Sequence, residues 1–167
     1  MRFFNTAGPV NCEKHYCLPP LSRFDLSEIL NLINQEKYFV LHAPRQSGKT
    51  SCLLACADYL NKEGRYYALY TNVEAGQAAR EDVSSAMRAI LYGILQRMDI
   101  NLPNRISSAE LEQIIRDNGP FGAMTIFFSR LSNRLDKPLI LMMDEIDTLV
   151  GDTLISVLRQ IRSGYDT

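Results

Sequence analysis

The chain has almost no net charge: 18 Lys and Arg residues against 19 Asp and Glu leave a formal charge of -1. That removes the electrostatic reason to expect a nucleic acid or an anionic membrane as partner, because either draws on a basic excess or a clustered basic face. Long apolar runs are also missing. The roughly 18 uninterrupted apolar residues of a spanning helix occur nowhere, and Met1-Arg2-Phe3-Phe4-Asn5-Thr6 lacks the apolar centre of a signal peptide, so a cytoplasmic location is expected. Cysteine is scarce, four in 167 residues. Cys12 and Cys17 flank His15, but the spacing matches no usual zinc-ligand pair and a fourth ligand is missing, so reduced thiols are expected. No repeat or low-complexity tract interrupts the chain.

What is present suits one globular domain, since 46% hydrophobic and 22% charged residues are enough for a sizeable core. Residues 1–24 read as an irregular arm punctuated by Gly8-Pro9 and Pro19-Pro20, in which His15 and Tyr16 either cover a bound ring or simply pack. Residues 25–167 carry the regular elements. Asp25 and Glu28 form a capping box for a helix over 26–35, and Lys37 to His42 reads as a first strand. A helix follows up to Gly64, then a Tyr-rich second strand over 65–72, which implies a parallel sheet. Asn72 and Glu74 fall at its carboxyl end, where ligands of parallel sheets bind and where a polar strand end is also common. Helices are expected over about 79–98 with Val83, Met87, Ile90, Leu91, Ile94 and Leu95 inward, from Ser107, with Glu110 as its capping-box partner, to Asn118, and from Pro120 through Phe121, Met124, Phe127, Phe128, Leu131 and Leu135. The run Leu139-Ile140-Leu141-Met142-Met143 has the character of a strand buried on both faces, and a last helix covers 152–163. Asp147 is placed to cap that helix.

Between the first strand and its helix stands Ala43-Pro44-Arg45-Gln46-Ser47-Gly48-Lys49-Thr50. A polyphosphate needs several inward-pointing backbone N–H groups and a helix N-terminus whose partial positive charge faces the anion. Gly48 lets the backbone approach, Lys49 reaches the phosphates, and the Thr50 hydroxyl stands one residue on to ligate Mg²⁺. Ala43, Pro44, Arg45, Gln46, Ser47, Gly48, Lys49, Thr50 and Ser51 are therefore the expected nucleotide-binding residues, against the alternative of an ordinary strand-helix turn. No Asn-Lys-x-Asp stretch of the kind that reads guanine occurs, which favours ATP.

Downstream, the apolar strand ends in Asp144-Glu145. Together, APRQSGKT and MDEID resemble the Walker A and Walker B motifs of the additional-strand, catalytic-glutamate branch of P-loop NTPases, within it the AAA+-like and STAND-like bacterial ATPases, over about residues 14–163. The resemblance implies a three-layer α/β/α fold with a mainly parallel sheet. It implies ATP and Mg²⁺ as ligands, with Thr50 and Asp144 at the metal and with Lys49 and Glu145 catalytic, Glu145 orienting or deprotonating the attacking water. In that family a sensor strand, a last strand, an arginine finger and usually a lid follow Walker B, so the chain is expected to be the N-terminal portion of a longer ATPase. Arg159 and Arg162 read as solvated helix-end cations rather than fingers. Three functions compete: an ATPase driving a conformational change, a nucleotide-dependent switch or interaction module with little turnover, and an incomplete product without activity. A missing C-terminal portion or a protein partner is compatible with each.

Overall fold

Asp25 opens the first helix as its sequence requires: its carboxylate accepts the Glu28 backbone N–H at 3.1 Å and α1 runs Leu26–Asn34. In this computed structural model residues 3–5, 11, 13–44 and 46–164 are described. They fall into two compact units, residues 1–59 and 60–167.

In the first unit, Phe3 and His15 form an isolated parallel bridge, and their rings meet edge-on at 4.7 Å while Phe4 and Tyr16 meet at 4.8 Å. His15 and Tyr16 thus pack on aromatic neighbours within the arm. Cys17 is disulfide-bonded, which corrects the expectation of a reduced thiol there, whereas Cys52 and Cys56 are free. Cys12, Gly8 and Pro9 lie outside the described residues. A 3₁₀ turn over Pro20–Arg23 leads into α1, whose Ile29 and Ile33 are buried. Residues 37–44 carry no ladder, so the expected first strand is not formed among the described residues; Tyr38 and Val40 are exposed. A β-favouring run specifies a strand only where a partner edge accepts its backbone.

Helix α2, Lys49–Glu63, begins in the first unit and ends in the second. The second unit then builds β1 (Tyr67–Asn72), a 3₁₀ segment (Glu74–Ala79), α3 (Val83–Asn101), α4 (Ser108–Asn118), α5 (Ala123–Ser132), β2 (Leu139–Asp144), a short 3₁₀ turn (Ile146–Thr148) and α6 (Gly151–Ser163). The two strands form a parallel pair in register from Tyr67 opposite Leu139 to Asn72 opposite Asp144. Parallel pairing follows because three helices lie between them, long enough for a crossover. The other edge of β1 meets a side chain: Asn61 of α2 donates from Nδ2 to the Ala68 carbonyl and accepts the Ala68 N–H, both at 2.9 Å. An amide side chain here does what a neighbouring strand would do for one residue.

The core lies between the sheet and the helices, with Leu69, Met87, Ile90, Leu91, Ile94, Met98, Leu111, Ile114, Met124 and Phe127 essentially inaccessible. Helix α3 starts at Val83 rather than near 79, because the Asp82 carboxylate caps Ser84 and Ser85 and the preceding turn is 3₁₀. Helix α4 has the expected cap, the Ser107 hydroxyl accepting the Glu110 N–H at 3.2 Å. Helix α5 begins at Ala123, not Pro120, and Phe121 is exposed rather than inward. Its N-terminus is served from another helix: Gln160 of α6 accepts the Met124 N–H at 2.9 Å and donates to the Pro120 carbonyl at 2.8 Å. Strand β2 is only partly buried over most of its length, short of the burial on both faces expected from its composition.

Candidate functional site

The candidate phosphate loop lies in the first unit. Gln46 and Gly48 both take positive φ, 58° and 84°, and the Ser47 N–H donates to the Pro44 carbonyl at 3.3 Å. Helix α2 then opens at Lys49, and the Cys52 N–H to Gly48 carbonyl bond of 3.0 Å closes its first turn. The first-turn N–H groups have no intrahelical acceptor, which makes this end a natural anion site. Lys49 folds back across the loop, its Nζ donating to the Ala43 carbonyl at 2.9 Å. The Ser47 hydroxyl is buried without a hydrogen-bond partner, an arrangement a phosphate oxygen would complete. Ala43 and Ser51 are partly buried, and Pro44, Gln46 and Thr50 are exposed at the surface of the loop; Arg45 lies outside the described residues.

A residue that the sequence did not flag joins them. Nη1 of Arg23, on the 3₁₀ turn before α1, lies 2.5 Å from where a β-carbon on Gly48 would stand. The turn is held there partly by Cys52 of α2, whose thiol donates to the Pro20 carbonyl at 3.3 Å. Two cationic side chains, Lys49 and Arg23, therefore meet at one loop. Only a non-local contact reveals Arg23; no local pattern marks it.

The candidate carboxylates lie in the second unit, at the carboxyl end of the parallel pair. Asp144 is 5% exposed, and each oxygen meets a donor: Tyr70 Oη at 3.1 Å from Oδ2 and the Glu145 N–H at 3.0 Å from Oδ1. Burial, and then the Asp144 charge, push the Tyr70 hydroxyl up to about 12, so it stays a donor at neutral pH. Tyr70 was also invisible to local reading, being a strand tyrosine among several. Glu145 sits in the left-handed region at φ 59°, half-buried, and its carbonyl accepts the Thr148 hydroxyl at 2.6 Å. A non-glycine residue in that region is strained by about 1–3 kcal/mol and is held only by its surroundings. Asn72 stands opposite Asp144 in the ladder and accepts the Glu74 N–H at 2.7 Å, a turn at the strand end. Asp147 is exposed and caps nothing: the residue before α6 is Val150, which makes no side-chain cap, so the expectation for Asp147 is corrected. Arg159 and Arg162 are exposed on α6.

A hard cation takes oxygen ligands, and a carboxylate such as that of Asp144 or a hydroxyl such as that of Thr50 is of the chemical type it takes. The family model described as Nephrocystin 3, N-terminal, matches residues 22–166. The chain belongs to that family. The matched residues include Arg23, the loop over 43–51, Asp144 and Glu145. No curated protein and no solved structure matches the chain. Among the described residues no helix is long and apolar enough to cross a membrane.

Proposed function

We propose that this domain binds ATP as its Mg²⁺ complex in a three-layer P-loop fold, and that hydrolysis of the nucleotide drives a conformational change. The observation that carries the reading is the loop at the start of α2, where Gly48 takes φ 84°, Lys49 wraps the turn, and a buried Ser47 hydroxyl lacks a partner. Such a loop is built to surround an anion rather than to pack.

In this reading the α2 N-terminus and Lys49 hold the β- and γ-phosphates, and Arg23 adds a second cation from the turn before α1. Thr50 and Asp144 would hold Mg²⁺, which when bound neutralises charge developing on the phosphates. Glu145 orients the attacking water and accepts its proton on a carboxylate oxygen as the water oxygen bonds to the γ-phosphorus and the bond from that phosphorus to the β–γ bridging oxygen breaks, with ADP as the leaving group. The protein acts in the cytoplasm, with ATP and ADP as its ligands.

Titration of the chain with a fluorescent ATP analogue tests the first step. Lys49→Ala is expected to weaken binding severely, and equal affinity in the two proteins would overturn the assignment.

A further inference from the structure

The Mg²⁺-binding carboxylate of the proposed site cannot set its own orientation, because a free aspartate side chain rotates about two bonds. Strands β1 and β2 solve this between them. Tyr70 is paired with Met142, and Asp144 follows Met142 by two residues, so Tyr70 and Asp144 project from the same face of the ladder. The tyrosine hydroxyl meets Oδ2 while the next backbone N–H meets Oδ1, so each oxygen is fixed by a different donor. Turning the carboxylate would break one bond or the other in a place where water does not replace it. Both donors come from the ladder or its immediate end.

The chemical type of the donor matters as much as its position. A lysine or arginine here would form an ion pair and cancel the charge that a divalent cation needs. A phenol donates one hydrogen bond and leaves the negative charge in place. Arg97 lies over the face of the Tyr70 ring, 5.8 Å from its centre, a cation–π contact that steadies the ring.

We propose that Tyr70 is a positioning residue that orients Asp144 for Mg²⁺ and thereby sets the metal affinity of the nucleotide site. The inference rests on the nucleotide reading above and deepens it. Tyr70 does not touch the nucleotide; it acts through the carboxylate alone. Its hydroxyl should therefore matter to Mg²⁺-dependent binding and not to metal-free binding, which separates orientation from simple packing.

The test uses the full 167-residue chain and its Tyr70→Phe variant. A fluorescent ATP analogue is titrated over a series of Mg²⁺ concentrations and again in EDTA. The expected result is equal affinity of the two proteins in EDTA, with the Mg²⁺ midpoint of the variant raised by about 10–100-fold. An unshifted midpoint, or an equal loss with and without metal, overturns the proposal while leaving the nucleotide reading intact. A parent protein that binds the analogue without any response to Mg²⁺ removes Asp144 as a metal ligand and the proposal with it. Should the variant fail to fold, 3-fluorotyrosine placed at position 70 of the otherwise unaltered chain gives a second readout. Its fluorine resonance is expected to move when Mg²⁺ is added to the nucleotide-loaded protein, and an unmoved resonance overturns the proposal.

Discussion

The guanidinium of Arg23 rests over Gly48, so close that a β-carbon on the glycine would stand 2.5 Å from Nη1. The glycine is required for its φ of 84°, and a β-carbon there would also displace the end of the Arg23 side chain from the loop. Arg23→Ala is expected to weaken binding of a fluorescent ATP analogue by about 10–100-fold, the range for a lost charge-assisted hydrogen bond. Arg23→Lys should recover only part of this, since an ammonium keeps the charge and loses the planar fork. Unchanged affinity in Arg23→Ala would confine the residue to a packing role.

Glu145→Gln keeps the shape of the side chain and removes the base. Nucleotide affinity is expected to persist while phosphate release falls by about 10²–10⁴-fold. Unchanged release would assign the water to another residue. Glu145→Gly should instead raise the melting temperature, because glycine tolerates φ 59° without strain, while abolishing turnover equally.

Gln160 is buried and bonds the Met124 N–H, the Pro120 carbonyl and the Ser156 hydroxyl at once. Gln160→Leu is close in volume but leaves the α5 end and a serine without partners. A loss of about 2–4 kcal/mol in urea unfolding is expected, from more than one orphaned buried group. A loss under about 0.5 kcal/mol would show that water reaches these groups.

Acid should loosen the start of α3. Hydrogen bonds to Asp82, first from the Ser85 hydroxyl and then from the Ser85 and Ser84 N–H groups, hold its carboxyl below the usual range. With the folded pKa depressed, the stabilisation is fully present above the unfolded value near 3.8 and is lost as pH falls through the folded one. Thermal melts between about pH 5 and pH 2 should therefore show a smaller decline for Asp82→Asn than for the parent chain. Parallel declines would remove Asp82 from the acid response.

The features that sequence made legible are those set within one turn of chain. Asp25 with Glu28 and Ser107 with Glu110 were readable as caps because donor and acceptor are three residues apart, and the inward face of α3 followed from helical spacing. Residues 37–42 misled for the opposite reason. Their side chains favour a strand, yet a ladder depends on a distant partner, and nothing in six residues says whether one accepts them. Asp82 displaced the start of α3 because Glu81 and Asp82 are both plausible first-turn residues, and only the geometry shows which carboxylate turns back on the helix. The motif residues of the site were all named from sequence. Arg23 and Tyr70 were not, since each matters through a residue far along the chain, and the left-handed backbone of Glu145 has no compositional sign.

Tyr70 and Asp144 are 74 residues apart in the chain, yet bonded side chain to side chain. Bringing them together requires the strands on either side of α3, α4 and α5 to find each other, a closure whose entropy must be met before the ladder rewards it. Helices with local caps gain their contacts without that delay. The carboxylate geometry should therefore arise late in folding and vanish early under stress, so a partly unfolded domain would keep much of its helical circular dichroism after its Mg²⁺ response has gone. Newly synthesised protein would be held silent by the same topology: until β2 has been made and paired, there is no oriented Asp144 for a metal to find.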